Sequence, residues 1–104
     1  MAANLKIIKL ITGEDLLAEV ETEGEVTTTV KNPVRIVLMP NKVDPKTPNV
    51  GFAPWMEFSE DKTIDIDNFH IIAKMNPIKE FANHYNSMFG GLVVPTSSLI
   101  LPGQ

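Results

Sequence analysis

A chain of 104 residues, 43% hydrophobic and 21% charged, makes one globular domain (1–104) with material for a single core and not two. Its net charge is −4, and Arg35 is its one arginine. The lysines are scattered, so there is no basic stripe of the kind a dedicated nucleic-acid binder uses to neutralise phosphates, although a ring of subunits can still gather one lysine per copy around a pore. The absence of cysteine excludes disulfides and thiolate metal sites. The apolar runs are too short to cross a membrane as helices. Met1–Asn4 does not lead from a basic region into an apolar signal core, so the expected location is the cytoplasm.

From Leu5 to Leu38 the chain is a series of short β-branched runs separated by Gly, Asp, Asn and Pro clusters, the pattern of an antiparallel meander. The first run, Leu5–Ile11, is apolar on both alternating faces and predicts a strand covered on both sides. After a turn at Thr12–Asp15, Leu16, Ala18 and Val20 alternate against Asp15, Leu17 and Glu19, which predicts a half-solvated strand. Glu23–Glu25 is a hairpin tip before Val26–Val30. Pro33 lacks a backbone donor, so a strand edge, kink or bulge is expected at Asn32–Pro33.

Met39–Asn49, with three prolines and no apolar period, predicts a surface loop. Gly51–Phe58 is aromatic-rich and strand-like. Thr63–Asp67 alternates, Phe69–Met75 is mostly apolar, and together with Gly51–Phe58 they suggest a long hairpin. Asn76–Pro77 is a helix start, with Asn as cap and Pro in the first turn. Ile78, Phe81, Ala82, Tyr85, Met88 and Phe89 form one apolar helical face, and Gly90–Gly91 ends it. Two last apolar runs flank a turn at Pro95–Ser98. Seven or eight short strands and one helix predict a small mainly-β barrel with one amphipathic helix.

Catalytic and metal-binding signals are weak. His84 follows Glu80 by four residues on the helix, within reach, yet no HExxH spacing or third ligand accompanies them. Structural or solvated roles for His70, His84, Asp65, Asp67 and Glu80 are the better reading. Ser97 and Ser98 lack a Gly-x-Ser-x-Gly elbow, and Gly90–Gly91 follows a helix where a phosphate loop precedes one. No catalytic residue, metal or cofactor is therefore expected. Trp55, near Phe52 and Phe58, suits base stacking, though core or interface packing is the stronger expectation. No charge occurs from Leu92 to Gln104. An uncharged terminal pair of runs is an edge liability unless another chain covers it. Leu92, Val93, Val94, Leu99, Ile100 and Leu101 are therefore the expected oligomer interface.

Two segments resemble the Sm-like family of ring-forming small barrels. Leu10–Val20, with Thr12-Gly13-Glu14-Asp15 at its turn, is similar to the first Sm motif. Gly91–Leu101, two apolar runs around a tight turn, is similar to the closing one. The whole chain also resembles small proteins of tailed phages infecting marine cyanobacteria, through Thr12–Asp15, Asn32-Pro33, Phe52–Trp55 and Asn83–Gly90. The Sm resemblance implies a bent barrel, a homo-oligomeric ring and binding of single-stranded RNA at the pore. The phage resemblance carries no known activity; the alternative expectation is a phage structural, assembly or host-interaction protein with no nucleic-acid role. Where the Sm pattern has an Asp and an Asn, this chain has Val30-Lys31-Asn32-Pro33, and Pro95-Thr96 stands in place of the final Arg-Gly. The helix also lies near the C-terminus where the family carries it at the N-terminus. By that resemblance Lys31 and Asn32 are the candidate contacts; if RNA binds, Arg35 is added to them for phosphate and base contact, with Trp55 as the candidate stacker.

Overall fold

The computed structural model describes residues 4–89. They form six antiparallel strands and one α-helix: β1 (Leu5–Leu10), β2 (Asp15–Glu23), β3 (Thr27–Met39), β4 (Asn49–Pro54), β5 (Thr63–Asp67), β6 (Ile71–Met75) and α1 (Lys79–Phe89). A single 3-10 turn at Asn68–His70 separates β5 from β6. The mainly-β class with one C-terminal helix agrees with the sequence reading. The strand order is β4-β3-β2-β1-β6, with β5 also on β3, and no ladder closes the sheet among the described residues. The Gly91–Leu101 pair lies outside them.

The meander forms where its turns are cheapest. Gly13 adopts φ +94°, a conformation open to glycine, while its N–H bonds to the Leu10 carbonyl and the Leu10 N–H to that of Glu14. Across this hairpin Lys9 pairs with Asp15 at 3.0 Å. At the β2–β3 tip the Gly24 N–H donates to the Thr27 carbonyl.

What the sequence divides into two runs around Asn32–Pro33 is one strand of 13 residues. The break is a bulge. Leu17 lies opposite Val34 and Glu19 opposite Lys31, so Asn32 and Pro33 together face the single residue Ala18. Asn32 takes φ +51°, a left-handed conformation that Asn tolerates better than most residues. The extra residue shifts the pleat, so Val30 joins one core and Val34 the other.

The first core gathers Ile8, Leu10, Leu16, Ala18, Val20, Val30 and Ile66, with Trp55, Ile64 and Ile71 packed on them. The second, on the opposite face, holds Leu17, Val34 and Tyr85, with Leu5, Ile7, Ile36, Phe52 and Phe81 around them. β2 is therefore not half-solvated: α1 covers the face of Leu17, which is fully buried.

Three further expectations are corrected. β4 stops at Pro54, and Phe58 is almost fully exposed. β4, β5 and β6 make no hairpin: β5 pairs with the first half of β3, β4 with the second half, and β6 with β1. The segment from Thr63 to Met75 thus occupies both outer edges of the meander. Finally, α1 begins at Lys79, with its first bond from the Ala82 N–H to the Ile78 carbonyl. The Asn76 side chain does not cap it but accepts from Lys6 Nζ at 2.6 Å, tying the region after β6 to β1.

Candidate functional site

β3 changes neighbours at Asn32–Pro33, from β5 on one side of the bulge to β4 on the other. The 55–62 connection bridges that gap, and the Asn32 N–H donates to the Lys62 carbonyl at 2.8 Å. Here lies a groove of about 350 Å³. Its apolar lining includes Val34, Phe52 and Trp55, with Met88 and Phe89 from the end of α1. Glu60, Asp61 and Lys62 are its charged wall.

Tyr85 fixes the geometry. Its hydroxyl lies 2.9 Å from the carbonyl oxygens of both Lys31 and Asn32, the groups beside the bulge. The ring is buried, and burial pushes the phenol well above its ordinary pKa, reinforced by the Glu19 charge and opposed by a hydrogen bond from the Glu19 backbone. The hydroxyl therefore stays protonated and locks α1 to the bulge. Phe52 meets Phe81 and His84 edge-on, each with ring centroids 5.4 Å apart.

Of the candidate RNA contacts, the groove brings together Asn32 and Trp55. It does not include Lys31 or Arg35. Lys31 lies opposite Glu19 on the α1 face of the sheet, whereas Arg35 lies opposite Leu16 on the face of the first core. The bulge between them turns the two side chains to opposite sides. Trp55 is half-buried, and its packing against the first core gives it a structural share. Glu60, Asp61 and Lys62 are groove residues the sequence did not single out; for Lys62 the signal is its backbone pairing with Asn32, which no local pattern carries. Leu92, Val93, Val94, Leu99, Ile100 and Leu101 lie outside the described residues.

Asp65 and Asp67 make structural contacts rather than a site. Asp65 accepts from Thr29 Oγ1 at 2.6 Å, and Asp67 accepts from the Phe69 N–H to cap the 3-10 turn. His84 turns toward Phe52, and burial lowers its pKa. Among the described residues no three His, Cys, Asp or Glu side chains cluster as a metal site. No helix among them is long and apolar enough to cross a membrane.

The model of the Sm-like domain matches residues 7–86. The match includes most of β1, all of β2 to β6 and most of α1 but stops short of Gly91–Leu101, so the similarity seen there to a closing motif falls outside it. No curated protein matches the chain. With more than three-quarters of its residues within that match, the chain belongs to the Sm-like family.

Proposed function

We propose that this chain assembles into a homo-oligomeric ring that binds single-stranded RNA in the cytoplasm, acting by binding and without a catalytic step or cofactor. The observation that carries the reading is family membership, since Sm-like domains often self-assemble and bind RNA. The topology supports assembly: β4, β5 and β6 each have one neighbouring strand among the described residues, leaving edges for another copy. Leu92, Val93, Val94, Leu99, Ile100 and Leu101 are the proposed contact between subunits. Repeated around a ring, Lys31, Asn32 and Arg35 would supply phosphate and base contacts, and Trp55 a stacking face.

Light scattering on the parent chain and on Leu99→Lys with Leu101→Lys tests the assembly. A multiple of the 11.5 kDa subunit mass that collapses in the variant supports the ring. A monomeric parent sinks it. RNA affinity that falls steeply with added salt and weakens in Lys31→Ala supports the second half of the reading.

The net charge of −4 and the divergence of Lys31 and Arg35 weigh against nucleic-acid binding, which leaves as a second reading a structural, assembly or host-interaction protein of a phage with no nucleic-acid role. An oligomer that binds no oligonucleotide even at low salt selects it.

A further inference from the structure

We infer that Val43, on the connection between β3 and β4, seats in the hollow beside Phe69 of a second copy. Val43 is 94% exposed, yet the turn that presents it is tied down. Asn41 Oδ1 accepts from the Val43 and Asp44 N–H groups, and Asn41 Nδ2 donates to the Thr47 carbonyl at 2.9 Å. The Asp44 carboxylate is taken up within the turn, by the Lys46 N–H and the Thr47 hydroxyl. Lys42 and Lys46, on either side of Val43, make no ion pair among the described residues. The tip is thus apolar, basic and fixed in shape.

The complementary surface stands at the other end of β3. Glu25, Val26, Asn68 and Phe69 line a hollow of about 400 Å³. Phe69 is 87% exposed, and it too rests on a fixed turn. Asn68 accepts from Thr28 Oγ1 at 2.7 Å, its Nδ2 donates to the Gly24 carbonyl, and its N–H donates to that of Val26. Glu23 nearby is paired with Lys74, whereas Glu25 makes no ion pair among the described residues.

Charge and chemistry together select the occupant. An exposed valine between two unpaired lysines complements an apolar hollow that carries an unpaired carboxylate. Because both turns are already fixed, neither surface has to be ordered when they meet. The tip follows the last residue of β3 and the hollow precedes its first, so each copy offers its tip to one neighbour and its hollow to another. Such a head-to-tail contact builds a ring where its rotation closes. The inference rests on the proposed self-assembly and not on RNA binding. It adds a contact to those already proposed and leaves the groove beside Trp55 to its proposed role.

The sequence is free of cysteine, so single-cysteine versions of the full chain report the contact directly. Val43→Cys mixed with an equal amount of Phe69→Cys and gently oxidised should give the mixed disulfide in several-fold excess over the share that random pairing yields, as read by mass spectrometry. Both side chains are exposed, so the circular dichroism should match the parent's. Adding Lys42→Glu and Lys46→Glu to the Val43→Cys chain should cut the mixed disulfide several-fold, and Glu25→Lys in the Phe69→Cys chain should bring it back. Disulfides in random proportion overturn the inference, even where light scattering finds an oligomer; the ring then stands on its other contacts. A dominant mixed disulfide in a protein without RNA affinity supports the inference and removes only the RNA half of the proposed function. Binding of the parent to phosphatidylserine vesicles, lost in Val43→Asp and accompanied by random disulfides, assigns the tip to a lipid surface and overturns the inference as well.

Discussion

The two faces of the sheet are closed by different means, and they close to different degrees. On one face, strands seal the core. Ile8, Leu16, Ala18 and Val30 have no exposed surface, and β5 and β6 bring Ile64, Ile66 and Ile71 over them. On the other face a single helix does the sealing. It reaches the sheet chiefly through Phe81 and Tyr85, four residues apart, and most of the apolar side chains around them stay partly exposed. A strand is held along its whole length by its ladder, whereas a helix touches a sheet along one stripe. The seam left over becomes the groove, at the end of α1, where Met88 and Phe89 remain more than two-fifths exposed.

The largest test of this contrast is a pair of truncations. Leu16→Ala should cost about 2–5 kcal/mol, as for a fully buried leucine that leaves a cavity. Phe81→Ala, on the helix-covered face, should cost less, because its ring starts partly exposed. Urea unfolding midpoints decide, and an equal or greater loss for Phe81→Ala would erase the distinction.

Next is the link between helix and bulge. Tyr85→Phe removes the donor shared by the Lys31 and Asn32 carbonyls and should cost about 1–3 kcal/mol. Hydrogen exchange should quicken in α1 before it does in β1 and β2; simultaneous quickening would show that the helix is not a separately loosened lid.

Smaller still is the backbone strain at Asn32. Asn32→Val, a β-branched residue held at φ +51°, should lose about 1–2 kcal/mol, while Asn32→Gly should stay within about 1 kcal/mol of the parent. The glycine variant also separates fold from binding. Weakened RNA affinity with an unchanged melting temperature would give the Asn32 side chain a contact role of its own.

The smallest effect is with pH. Burial holds the His84 imidazole below its ordinary value of 6.5, so the unfolded chain takes up the proton first as pH falls. The resulting stabilisation is complete above that ordinary value and is lost as pH drops through the lowered folded one. Thermal melts between about pH 7.5 and about pH 5 should slope downward, and more gently in His84→Gln. Equal slopes would mean that the contact with Phe52 leaves His84 free to ionise.

Local chemistry was legible in the sequence. The Gly13 turn, the Glu23–Glu25 tip and the disturbance at Asn32–Pro33 follow from residues within a few positions of one another. Non-local pairing was not. Nothing within Thr63–Met75 says that its halves go to strands on opposite sides of β2, so it passed for part of a hairpin. Leu17 looked solvated because its cover, Tyr85, lies 68 residues further on. The candidate site suffered from the same limit. Lys31 and Arg35 lie close in sequence, and only the bulge phase reveals that they part.

The placement of Thr63–Met75 on both edges of the meander also orders events in time. Local pairing lets β1 meet β2 early, whereas the first core stays incomplete until Ile66 and Ile71, far downstream, become available. Contacts that span most of the sequence, such as Lys6 with Asn76, must wait for a long loop to close before they repay its entropy. A nascent chain paused before β5 would expose Ile8, Leu16 and Val30 together, an apolar sheet face that invites association with its neighbours on the same message.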